Sequence, residues 1–164
     1  MGMPKDARMT GAKLPLPTAS FDCENHVDRA MTLIQQMVEQ VRTGDMCDME
    51  TYFVFPHALQ YADQMVTITS VDDLIAECSM LAKAMQHRSI AKVDVSFARH
   101  SPARNGHLPV WVEFKLMDIA GNVLRQFNAT YFCELQSDET IKIKLAQFQA
   151  PRAPAAEAAR PDAN

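Results

Sequence analysis

Apolar residues recur at spacings of three and four through Val27, Ala30, Met31, Ile34, Met37, Val38 and Val41, a stripe that predicts an amphipathic helix over residues 21 to 43. Ser20 or Asp22 can cap its start by accepting a hydrogen bond from an otherwise unpaired amide, a contribution of about 1 kcal/mol. Gly44 stands where a left-handed stop is wanted. Asp45 is placed to cap a short second helix carrying Met46, Met49 and Phe53 inward and ending before Pro56, because the residue ahead of a proline is pushed toward extended geometry. The alternating segments HALQY and MVTIT flank the turn residues Ala62 to Gln64 and predict a hairpin. Ser70, with Asp73 three residues on, resembles a capping box. It opens a third helix, over about 71 to 87, that turns Leu74, Ile75, Cys78, Leu81, Ala82 and Met85 inward.

The rest of the chain alternates with the period of a strand. SIAKVDVSFAR sets Val93, Val95 and Phe97 against Lys92, Asp94 and Ser96, one face dry and one wet. VWVEFKLMD, NVLRQFNATYFCEL and TIKIKLAQF, joined by IAGN and QSDE, read as a long antiparallel meander. In its middle strand Val123, Arg125, Phe127, Ala129, Tyr131, Cys133 and Leu135 form a mostly apolar row, and Gln126, Asn128, Thr130 and Glu134 a polar one. A turn of two or four residues at IAGN places Val110, Val112, Phe114 and Leu116 beside the inward row, with Trp111 and Glu113 facing out toward a dimer interface. Long curved strands behind helices predict an α+β fold. The sheet is expected to be strongly curved and mostly antiparallel, a half-open cone packed on three helices whose interior is a small-molecule pocket.

Length and composition narrow the options. A chain of 164 residues suits one domain, placed at 20 to 149. Residues 1 to 19 and 150 to 164 lack an apolar face and are predicted to be disordered tails. With a net charge of -4 and no basic cluster, the sequence offers no footprint for nucleic acid. No apolar run approaches the roughly 20 residues of a spanning helix, and the N-terminal stretch lacks the apolar centre of a signal peptide, so a cytoplasmic protein is expected, with no membrane partner. Cys23, Cys47, Cys78 and Cys133 are too irregularly spaced for a redox pair or a disulfide framework and are expected to be buried free thiols. Cys23 with His26, and His100 with His107, are pairs without the further ligands zinc requires, so no metal is expected. Five glycines form no phosphate-cradling loop, and no cofactor is expected.

The order helix, helix, strand, strand, helix and four strands, with Gly44-Asp45 between the first two helices and the closing pattern FCELQSDETIKIKLAQF, resembles the NTF2-like superfamily over roughly residues 21 to 149. That superfamily includes ketosteroid isomerases, SnoaL-type polyketide cyclases and scytalone dehydratase. The resemblance implies a bent sheet wrapped over helices, a pocket at the wide end and homodimerisation through the sheet's outer face. It implies no activity, because the same cone serves non-enzymatic transport factors and the non-catalytic small subunits of ring-hydroxylating dioxygenases. Ketosteroid isomerases use an aspartate base near the end of the first strand, a tyrosine on the first helix and a protonated aspartate on a late strand. A register kept from Gly44-Asp45 puts the base position at Tyr61 and the helix tyrosine at Met37. A register from the last hairpin puts the late aspartate at Tyr131. All three are replaced. A phenol with a pKa near 10 is a poor base and Met37 cannot donate a hydrogen bond, so that isomerase mechanism is not expected.

The same registers orient side chains. If Tyr61 faces the pocket, Leu59 and His57 do too, and Tyr131 brings Phe127 and Arg125 with it. His57 is the candidate general base or acid, since imidazole titrates near neutrality, with Tyr61 as its catalytic partner. Tyr131, Arg125, Phe127, Leu59 and Met37 are the candidate ligand-binding residues. A structural role stands beside each: His57, following Pro56, can bond a backbone carbonyl, and Arg125 can either grip a ligand carboxylate or reach water at the rim. Two function classes follow. One is a cyclase, isomerase or dehydratase acting on a hydrophobic carbonyl compound. The other is a non-catalytic ligand-binding or accessory subunit that uses the outer sheet face for association.

Overall fold

The computed structural model describes residues 23–149; the two predicted tails and the candidate caps Ser20 and Asp22 lie outside them. Helix α1 spans Cys23–Thr43, with Ala30 and Ile34 wholly buried on its inner stripe. Gly44 ends it at φ +76, a left-handed conformation that costs a residue with a Cβ far more than it costs glycine. The amide of Asp45 then bonds back to Gln40 O at 3.0 Å.

The predicted second helix is reduced to one 3-10 turn, Met49–Tyr52, so the sheet packs on two α-helices rather than three. Asp45 does not cap it. Its carboxylate accepts from the amide of Cys47 at 3.0 Å, and the turn starts at Asp48 in a left-handed conformation. The next strand already claims Phe53, which leaves too few residues for another α-helix. Helix α2, Val71–His87, begins as expected: Ser70 Oγ accepts from the amide of Asp73 at 3.2 Å, and Thr69 donates to the Asp73 carboxylate at 3.2 Å. Replacing the cap, Ser70→Ala, is expected to lower the unfolding free energy by about 1 kcal/mol. A urea titration should show a lower midpoint with an unchanged slope.

Six strands, β1 (Phe53–Gln60), β2 (Met65–Ile68), β3 (Lys92–His100), β4 (His107–Met117), β5 (Val123–Leu135) and β6 (Ile141–Gln149), form one open sheet in the order β2-β1-β6-β5-β4-β3. Every pairing is antiparallel except β1 with β6. The β4–β5 register sets Val110, Val112, Phe114 and Leu116 opposite Tyr131, Ala129, Phe127 and Arg125. The turn between them is held by the Asp118 carboxylate, which accepts from the amides of Ala120 and Asn122, both at 2.9 Å. The helices cover one face of the sheet, where Ile34, Val110, Val112, Ala129 and Ile143 form the centre of the core.

Several expectations on the strands need correcting. The dry face of β3 is confined to Val95, with Val93 half-buried and Phe97 45% exposed, because β3 is an edge strand whose register slips between Phe97 and Arg99. The start of β5 overhangs the core, leaving Val123 52% exposed, so its inward row becomes dry only from Phe127 onward. Thr130, on the polar row, is buried beside its cross-strand neighbours Trp111 and Gln147. Cys47 is an exposed thiol, whereas Cys78 and Cys133 are buried. No described helix is long and apolar enough to cross a membrane.

Candidate functional site

A cavity of about 430 Å³ lies between the covered face of the sheet and the two helices. Met37, His57, Leu59, Tyr61, Arg125, Phe127 and Tyr131, the seven residues singled out in the sequence, all line it. Strand alternation delivers His57 and Leu59 from β1 and Phe127 and Tyr131 from β5, while the α1 stripe supplies Met37 with Val38 and Val41. Tyr61 follows β1 and closes the hairpin by donating its amide to Gln64 O at 2.8 Å.

One wall is aromatic. Phe114 and Phe127 stack with centroids 4.9 Å apart, Tyr61 and Phe148 stack at 5.4 Å, and Tyr131 meets Phe148 edge-on at 6.4 Å. Such a wall offers flat apolar area with a few polar tips.

His57 is fully buried, with its ring 4.6 Å from that of Phe53. Its Nδ1 lies 3.0 Å from Lys144 O. A carbonyl only accepts, so Nδ1 carries the proton and Nε2 the lone pair. Nε2 is buried and has no hydrogen-bond partner. The sheet explains this bond. β6 carries a bulge in which Lys144 is passed over by both neighbouring strands, since Ile143 and Leu145 pair with Cys133 and Phe132 on one side and with Phe53 and Ala58 on the other. At this bulge the Lys144 carbonyl meets the His57 imidazole. Burial pushes the His57 pKa down to about 4, against a smaller opposing effect of the Lys144 bond, so the ring is neutral at pH 7.

The nearby phenols and thiols are also held neutral. Tyr61 donates to Glu77 Oε1 at 3.1 Å, and burial, reinforced by the nearby Glu77 charge, holds its pKa well above the ordinary phenol value. Its proton is committed to Glu77, so Tyr61 positions rather than acts as a base. Burial, with smaller effects of Cys133 and Tyr61, raises Tyr131 likewise and leaves it an O–H donor. Burial pushes the Cys78 thiol up to about 11 and that of Cys133 up to about 12, which removes both as nucleophiles at neutral pH. Arg125 is exposed at the rim, with its guanidinium carbon 5.7 Å from the centroid of Phe127. Among the described residues no group of three or more His, Cys, Asp and Glu side chains is placed to hold a metal ion.

Glu77, Arg88 and Phe148 are among the lining residues that the sequence did not single out. Glu77 within α2, and Arg88 at its C-cap, continue the stripe of Leu74, Leu81 and Met85; a charge on an otherwise apolar stripe is the signal. Phe148 was hidden because the β6 bulge reverses the alternation. Ile141 and Ile143 are buried at odd positions, yet beyond Lys144 the buried residue is Ala146, and Phe148 shares its side.

No family model matches the sequence, and no curated protein matches it. Solved structures do. An NTF-2 like protein of unknown function from Shewanella oneidensis aligns at TM-score 0.59 with 12% identity, covering 76% of this chain and 99% of that one. A protein of unknown function with a cystatin-like fold from Nostoc punctiforme aligns at 0.58 with 12% identity, covering 77% and 92%. Aln2 from a Streptomyces species aligns at 0.58 with 14% identity, covering 84% and 94%. The chain therefore has the NTF2-like, cystatin-like α+β fold.

Proposed function

We infer that the cavity receives a small hydrophobic carbonyl compound and that the protein acts on it as a cyclase, isomerase or dehydratase of the SnoaL-like kind. One observation carries this reading: the buried Nε2 of His57, a lone pair without a protein partner on the wall of a largely apolar cavity. An unpaired buried acceptor costs about 1–3 kcal/mol, a cost that a ligand hydroxyl or an acidic C–H would relieve. In the proposed step Nε2 takes a proton from the carbon beside the carbonyl, giving imidazolium and enolate, and the protonated Tyr131 hydroxyl donates to the enolate oxygen.

A second reading has its own support. A base whose pKa lies near 4 is far weaker than the near-neutral optimum for proton abstraction, which favours a non-catalytic ligand-binding or accessory subunit. In that case His57 Nε2 only accepts a hydrogen bond from the ligand, and the outer sheet face around Trp111 and Phe132 engages a second copy or another protein. The two are separated by screening hydrophobic ketones and hydroxyketones for thermal stabilisation, then following deuterium uptake beside the carbonyl of those that bind. The enzyme reading expects uptake that His57→Gln slows by about 100-fold or more while binding persists. Binding without uptake selects the second reading, and a library without a single binder would defeat the enzyme reading and the ligand-binding form of the second.

A further inference from the structure

The cavity has a charged end that a neutral ketone would not use. Arg88 caps the end of α2 and Arg125 stands near the start of the inward row of β5, and both line the cavity. Three facts bring them to the same end. The amide of Ala91 donates to Met117 O at 2.8 Å, which ties the segment after α2 to the end of β4. Leu116 faces Arg125 across the β4–β5 ladder. Buried Ile90 and Leu116 line the cavity beside them. Among the described residues neither arginine forms an ion pair. The Arg125 guanidinium lies over the ring of Phe127, itself part of the aromatic wall.

The opposite end carries the other sign. Glu77 precedes Arg88 by eleven residues, about 16 Å along α2, and lines the cavity together with Asp63. The last carbonyls of α2 do not present a bare negative pole to an anion near Arg88. Ala84 O, Gln86 O and Met85 O accept from the amides of Arg88, Ser89 and Ile90. An anionic group would thus be drawn to one end and repelled from the other.

We propose that the ligand of this cavity is an amphipathic monocarboxylic acid, its carboxylate held between Arg88 and Arg125 and its apolar body laid along the Phe114–Phe127–Phe148 wall. Guanidinium groups match carboxylate geometry, and the Phe127 ring beneath Arg125 begins the hydrophobic contact. The proposal rests on the small-molecule reading of the cavity and names its ligand class and orientation.

The test uses cis-parinaric acid and the corresponding neutral alcohol as fluorescent probes, below their aggregation limits, against the wild-type chain and the Arg88→Gln, Arg125→Gln and double variants. Both arginines are exposed, so thermal unfolding should confirm unchanged folding. The wild type is expected to prefer the acid by about ten-fold, each single variant to lose about three-fold, and the double variant to bind acid and alcohol equally, with alcohol affinity unchanged. Added salt should weaken the acid alone. Equal binding of the two probes to the wild type would overturn this proposal while leaving the small-molecule reading intact, as would a preference that survives in the double variant. If neither probe binds, this proposal falls; if in addition no apolar compound raises the thermal unfolding midpoint, the small-molecule reading falls with it.

Discussion

Lowering the pH from 7 to 4 is expected to remove about 3 kcal/mol from the folding free energy through His57 alone. The folded-state pKa lies near 4, below the ordinary value of 6.5. Between those values the unfolded chain binds a proton that the folded protein refuses, so stability rises with pH across this window. The contribution is complete above about 6.5, declines as the pH falls through the window, and changes no further below 4. The lowered carboxyls of Glu39, Asp73 and Asp138 are solvent-exposed and work in a lower range, where stability is lost only as the carboxylates themselves protonate. Urea titrations at pH 7, 6, 5 and 4 would resolve the two ranges. His57→Gln should flatten the slope above pH 4, because the side-chain amide can still donate to Lys144 O but takes up no proton. An unchanged slope in that variant would show that His57 is not the group responsible.

Ile143→Ala should be at least as costly, at about 3–4 kcal/mol at pH 7. Ile143 is wholly buried on β6, between Phe53 of β1 and Cys133 of β5, so the lost methylenes leave a void bounded by strands on both sides. Leu124→Ala provides the contrast. Leu124 is 50% exposed on the overhanging start of β5, and its loss should cost under about 0.5 kcal/mol. Because native domains are marginally stable, the alanine variant could sit at the edge of folding; Ile143→Val, expected to cost about 1 kcal/mol, keeps the comparison measurable. Equal effects at positions 143 and 124 would contradict the placement of β6 in the sheet.

The sequence reading succeeded where a period was uninterrupted. The stripes of α1 and α2, the alternation of β4 and β5 and the turn at Asp118–Asn122 needed only local chemistry, and these elements put Met37, Phe127 and Tyr131 on the cavity wall. It failed where one residue broke the count. The bulge at Lys144 exchanged the faces of β6 and concealed Phe148, and nothing in IKIKLAQF marks the break, because a bulge is decided by how three strands fit together. The same break explains the half-correct view of His57. Its bond to a backbone carbonyl was an expected alternative, but which carbonyl, and which nitrogen stays free, depends on a residue 87 positions away. Glu77 was missed for a different reason: a carboxylate on an apolar stripe is meaningful only once Tyr61 is seen to meet it.

The position of β6 also bears on how the protein is made. It is the last of the six strands to be synthesised, yet it lies between β1 and β5 and joins the β1–β2 hairpin to the β3–β4–β5 meander. Until it emerges from the ribosome, the edges of β1 and β5 that it pairs with in the finished sheet have no partner strand. A nascent chain paused before Ile141 would be a substrate for chaperones, and a premature stop there should yield an aggregating fragment rather than a smaller cone.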